Sequence, residues 1–129
     1  MHGQLGAGFA SDFEYKIQQV CLPDPFELYD KTLPVDNNKA SRILVRPIQI
    51  SAGGTHSLLL TESVNDPFLR FLFIWGSYKD CKLGIPEKQH DVTAPTLLSV
   101  PPLDSGDYFR SVSCGCDHSI VLSGLLVLQ

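Results

Sequence analysis

Basic residues are scarce in this chain: 10 Lys and Arg face 14 Asp and Glu, a net charge of −4 over 129 residues. A sequence-independent grip on nucleic acid draws on clustered cations that neutralise phosphates, so no nucleic-acid partner is expected. Long apolar runs are missing too. The longest, Ile120 to Leu128, is interrupted by Ser123 and Gly124, far short of the roughly 20 residues of a membrane-spanning helix. No membrane partner is expected. Met1-His2-Gly3-Gln4 lacks the charged and apolar regions of a secretory signal. The four cysteines are therefore expected as reduced thiols in a cytoplasmic or nuclear protein.

Catalytic and cofactor signatures are missing as well. Gly3 to Gly6 is not followed by Gly-Lys-Ser/Thr and so does not read as a phosphate loop. Cys114-x-Cys116-x-His118, with Asp117 inside it, is half a zinc motif without a second pair. A Cys–His nucleophile needs a depressed thiol pKa and a base within reach, and the sequence points to neither. The expectation is a non-enzymatic chain with no cofactor, no metal and no catalytic residue. Cys81 is expected to be the exposed thiol, with Cys21 and Cys114 serving as small apolar strand residues.

What is present is a repeat. Ser51-Ala52-Gly53-Gly54-Thr55-His56-Ser57-Leu58-Leu59-Leu60 returns 62 residues later as Ser113-Cys114-Gly115-Cys116-Asp117-His118-Ser119-Ile120-Val121-Leu122. Each copy is a supersecondary unit that cannot bury its apolar face alone. Leu5-Gly6 returns as Leu83-Gly84 at an offset of 78, and at the same offset Pro23 falls on Pro101. The two offsets differ by 16 residues, which places an insertion in the first copy between Pro23 and Ile48, at about 24–46. Phe73-Ile74-Trp75-Gly76 stands between the anchors and occurs once. A chain with 43% apolar and 19% charged residues, 10 Gly and 9 Pro suits many short strands joined by turns.

The anchors Gly-Gln-Leu-Gly, Ala-Gly-Gly-x-His-Ser-Leu-x-Leu-Thr and Ile-Trp-Gly-Ser-x-x-x-x-x-Leu-Gly resemble the repeat of the regulator of chromosome condensation family. That resemblance implies an all-β fold, a partial, open β-propeller of about two blades. The chain is expected to be one partial propeller domain, with repeat 1 over about 3–61 and repeat 2 over about 71–123. The structural motif comprises Leu5, Gly6, Gly53, His56, Trp75, Gly76, Leu83, Gly84, Gly115 and His118. Three positions depart from the family pattern: Cys81-Lys82 replaces Gly-Gln, Cys116 replaces a glycine, and Ile17 stands where the second copy has Pro95.

Local expectations follow from residue type. Strands are expected at 17–22, 46–51, 56–61, 71–75, 95–100, 109–114 and 118–122. Gly53 and Gly54 are expected to supply either a positive φ or a close backbone approach. Both histidines are expected as half-buried rings bonded to a neighbouring loop carbonyl, and Trp75 as a wedge between blades. The insertion, with Phe26, Leu28, Tyr29 and Leu33 among charges, has an interface-like composition. The expected function is a protein-interaction scaffold. The resemblance adds an alternative, guanine-nucleotide exchange on a small Ran-like GTPase. Open blade edges are expected to favour self-association.

Overall fold

A computed structural model of the chain describes residues 3–8, 19–23, 44–85, 90–98 and 106–125. Four strands, β1 (Val45–Ala52), β2 (His56–Ser63), β3 (Arg70–Gly76) and β4 (Val92–Leu97), form one antiparallel sheet in the order β1-β2-β3-β4. Two more, β5 (Asp107–Cys114) and β6 (Ser119–Leu125), form a separate antiparallel pair. The architecture is that of a partial propeller: one complete four-stranded blade and the first half of the next. The sheets are not closed into a barrel.

Residue type accounts for the order within the complete blade. β2 and β3 hold the near-continuous apolar runs, and every residue of β2 is buried. Such strands belong in the middle of a sheet covered on both faces. The prolines sit at the margins, Pro47 in β1 and Pro95 in β4, where a missing ladder donor is tolerated. The β1–β2 register slips between Pro47 and Gln49, and the β3–β4 register between Ile74 and Gly76.

The core runs through Leu58, Leu60, Leu72, Phe73, Ile74 and Trp75, and Val112 joins it from the second sheet. Burying side chains of this size contributes about 1.5–3 kcal/mol each. The sheets therefore stack through apolar contact, with β1 and β2 against β5.

Backbone geometry repeats along with the sequence. Gly3 and Gly6 have φ of 73° and 70°, and Gly6 N–H donates to Gly3 O at 3.0 Å. The same turn recurs with Cys81 and Gly84 at 56° and 64°, closed by Gly84 N–H to Cys81 O at 3.1 Å. Cysteine thus occupies a left-handed position that the first copy gives to glycine. That conformation crowds its Cβ against the backbone.

Several expected strands start or stop elsewhere. Residues 19–23 are not in a strand; Pro23 removes a donor, and the described residues offer no ladder to join. The strand expected at 95–100 begins earlier, at Val92, because Val92 pairs with Gly76. β1 already includes Val45 and Arg46, so the insertion ends before them, and residues 24–43 lie outside those described. Cys21 is exposed rather than an apolar strand residue, and Cys81 and Cys116 are exposed too.

Candidate interaction site

Two ends of the sheets carry different chemistry. At one end lie the β1–β2 turn, the β5–β6 turn and residues 76–84, which together hold most of the repeat motif. Gly53 N–H donates to His56 O at 2.8 Å, and Gly115 N–H donates to His118 O at 2.9 Å. Neither glycine has a positive φ. The reason for glycine is close approach: a Cβ on Gly53 would stand 2.4 Å from the His56 ring and 2.5 Å from Gly115 O. A Cβ on Gly115 would stand 2.1 Å from the His118 ring.

His56 is fully buried, and its Nε2 lies 2.9 Å from Ser119 Oγ. Ser119 Oγ donates its one proton to Lys82 O at 2.9 Å, so it accepts from His56 Nε2–H. The ring is therefore the neutral Nε2–H tautomer, with Nδ1 buried and without a partner among the described groups. Burial, and then the Lys82 ammonium, holds its pKa below the ordinary imidazole value. Lys82 is itself buried, with Nζ 3.7 Å from the exposed Asp117 carboxylate. The ring thus meets a hydroxyl, and the His118 backbone carbonyl beside it opposes the fall in pKa. His118, expected to be half-buried, is exposed.

Further bonds tie one sheet to the next. Val112 N–H donates to Gln49 Oε1 at 2.8 Å and Cys114 N–H to Ser51 Oγ at 2.9 Å. Each pair is 63 residues apart, one step beyond the 62-residue repeat, so a residue in one copy meets the neighbour of its own counterpart. Burial raises the Cys114 thiol pKa above its ordinary value. On the other flank, Trp75 Nε1–H and Ser57 Oγ–H both donate to Gln4 O, at 2.7 and 3.0 Å. Trp75 wedges against Gly6, where a Cβ would meet the indole at 3.0 Å. Gly76, at φ 116°, leaves room for Thr55 O. Leu83 is buried beneath the turn that ends at Gly84, whereas Leu5 is exposed.

The opposite end gathers residues that the sequence reading did not single out. Phe68 and Tyr108 meet edge-on with ring centres 5.4 Å apart. Arg70 lies over the Tyr108 ring at 4.9 Å and Arg110 at 5.2 Å. Arg70 also donates to Pro67 O at 2.9 Å and Phe109 O at 2.7 Å, and pairs with Glu62, which holds Arg46 at 2.6 Å. Leu44, Val64 and Phe68 are exposed beside them. Aromatic rings and arginines held rigid in an exposed patch are the residue types that dominate protein interfaces. The repeat offsets gave no signal for this patch, because Phe68 lies in the β2–β3 turn and Tyr108 in β5, and the two are not counterparts in the repeat.

Residues 71–122 match the family model of the Regulator of chromosome condensation (RCC1) repeat. The matched stretch, 71–122, is similar to one repeat of this family. No curated protein matches the chain. The regulator of chromosome condensation repeat spans β3 to β6, so its first two strands close one blade and its last two open the next. Repeats of this family generally form non-catalytic scaffolds for protein interaction. Among the described residues no group of three or more His, Cys, Asp or Glu is placed to hold a metal ion. Nor is any helix among them long and apolar enough to cross a membrane.

Proposed function

We propose that the chain is a protein-interaction scaffold whose docking surface is the patch of Phe68, Arg70, Tyr108 and Arg110. The observation that carries the reading is the division of labour between the two ends. Motif residues at one end join blade to blade, and the aromatic–arginine cluster at the other leaves Phe68 exposed between apolar neighbours. The inserted segment enters β1 at this same end, where Val64 N–H donates to Leu44 O at 2.9 Å.

The test is affinity capture with the full chain as bait. Proteins held by the wild type are expected to be lost with the Phe68→Ala/Tyr108→Ala double variant and with deletion of residues 24–43. Capture unchanged in both variants would remove this reading. The resemblance also suggests nucleotide exchange, which works by binding the nucleotide-free GTPase better than the loaded one. Release of labelled GDP from a panel of small GTPases, measured with and without the chain, separates exchange from scaffolding.

A further inference from the structure

The second copy of the repeat carries thiol chemistry that the first lacks. Cys114 and Cys116 stand where the first copy, 62 residues earlier, has Ala52 and Gly54, so the shared pattern requires neither sulfur. They flank Gly115, where β5 ends and the turn to β6 begins. Both sulfurs face residues 51–54 at the end of the neighbouring hairpin. Cys114 Sγ–H donates to Ser51 O at 3.5 Å, and a Cβ on Gly54 would stand 3.1 Å from Cys116 Sγ. Their access to solvent differs: Cys116 is exposed and Cys114 is half-buried. One sulfur is reachable from solution, and the other belongs to the seam between the sheets.

We infer that Cys114-Gly115-Cys116 is a redox-active dithiol whose oxidant is a small-molecule disulfide of the glutathione type, and that closing it loosens the seam. Cys116 attacks first, because it is the sulfur that a dissolved disulfide can reach. Its thiolate bonds one sulfur of the oxidant, forming a mixed disulfide, and expels the other as a thiolate that takes a proton from water. Cys114 then gives up its proton, attacks Cys116 Sγ and expels the second small thiol. Two electrons pass from the protein to the oxidant, leaving one intramolecular disulfide and two small thiols. Burial raises the Cys114 pKa, and the Ser51 side chain opposes that rise, so ring closure is the slower step. Gly115, with no Cβ, lets the chain between the sulfurs bend. On closure Cys114 Sγ turns from Ser51 O toward Cys116. The seam then loses its sulfur–carbonyl bond beside the amide bonds from Val112 and Cys114 to the first sheet. Reduction restores it. The inference goes beyond the scaffold reading and concerns the end of the sheets opposite the Phe68–Tyr108 patch.

The test is oxidation of the full chain by glutathione disulfide. Remaining thiols are trapped with N-ethylmaleimide, and residues 111–129, which follow Arg110 and contain no Lys or Arg, are read as one tryptic peptide by mass spectrometry. In the wild type this peptide is expected to lose two hydrogens and to take up no maleimide. Cys114→Ser is expected to stop at a glutathione adduct on Cys116, and Cys116→Ser to leave Cys114 reduced. Amide hydrogen exchange at Cys114 is expected to run about two- to tenfold faster in the oxidised wild type, the size of effect that follows the loss of one bond, and to return to its first rate with dithiothreitol. A wild type that stops at the Cys116 adduct overturns the proposal. So does a disulfide joining two chains, or a pair that stays reduced while Cys21 and Cys81 are oxidised. Unchanged exchange after ring closure overturns the link to the seam. All of these are read on the wild-type chain, so they decide the matter even where a serine variant fails to fold.

Discussion

The hairpins β1–β2 and β5–β6 are copies of one sequence pattern with opposite surroundings. Ile50 in β1 is 64% exposed, and its counterpart Val112 in β5 is 3% exposed. In the partner strands the order reverses: Leu58 and Leu60 are 0% exposed, and their counterparts Ile120 and Leu122 are both 57% exposed. β2 is buried on both faces, so in the first hairpin the exposure falls on the edge strand β1, whereas in the second hairpin β5 turns Val112 to the first sheet and β6 leaves Ile120 and Leu122 open. Apolar character at these positions therefore reflects what a repeat needs from its neighbours, and burial is supplied by the stack rather than by the hairpin.

The comparison is broken most strongly in the core. Leu58→Ala is expected to cost about 2–5 kcal/mol, while Ile120→Ala at the matching position stays within about 0.5 kcal/mol; urea unfolding of the two variants measures both. Similar losses would mean that β6 is covered in solution. The turns give a second, smaller contrast. Gly53→Ala forces a methyl onto a ring pinned by Ser119 and onto the Gly115 carbonyl, at about 1–3 kcal/mol. Gly115→Ala meets only an exposed imidazole that can rotate away, at about 0.5 kcal/mol or less.

At Cys81 the second copy is the strained one. Relief of a left-handed non-glycine residue contributes about 1–2 kcal/mol, partly offset by the greater freedom of glycine in the unfolded chain. Cys81→Gly is therefore expected to raise stability by about 0.5 kcal/mol, seen as a higher melting temperature, whereas Gly3→Cys lowers it. The smallest effect concerns His56. The buried ring resists protonation, so as pH falls through the ordinary imidazole range the unfolded chain takes up the proton first. The His56 contribution to stability is thus complete above about pH 6.5 and declines below it. Melting between about pH 7 and pH 5.5 is expected to show a shallower fall for His56→Gln than for the wild type.

Much of the fold was legible because the pattern occurs twice. The anchors at Gly53 to His56 and Gly115 to His118 located both hairpins, and Leu5-Gly6 with Leu83-Gly84 located two matching turns. The bond partner of His56 was not legible, since Ser119 reaches it from another sheet, 63 residues away. Strand ends were set by pairing rather than by propensity, as Val92 opposite Gly76 shows. The interaction patch was missed for a related reason: Phe68-x-Arg70 and Tyr108-x-Arg110 stand 40 residues apart, an offset that is neither of the two repeat offsets, and their side chains meet only through tertiary packing. Cys21 looked apolar by type, yet it is exposed and lies outside the strands among the described residues.

The offset between repeat and blade makes the turn at residues 64–69 a natural point of division. A chain cut there leaves β1 and β2 on one piece and β3 and β4 on the other, each piece holding half of the same sheet. Each piece would lack the edge that the other carries, so two separately made halves are expected to reconstitute one sheet when mixed.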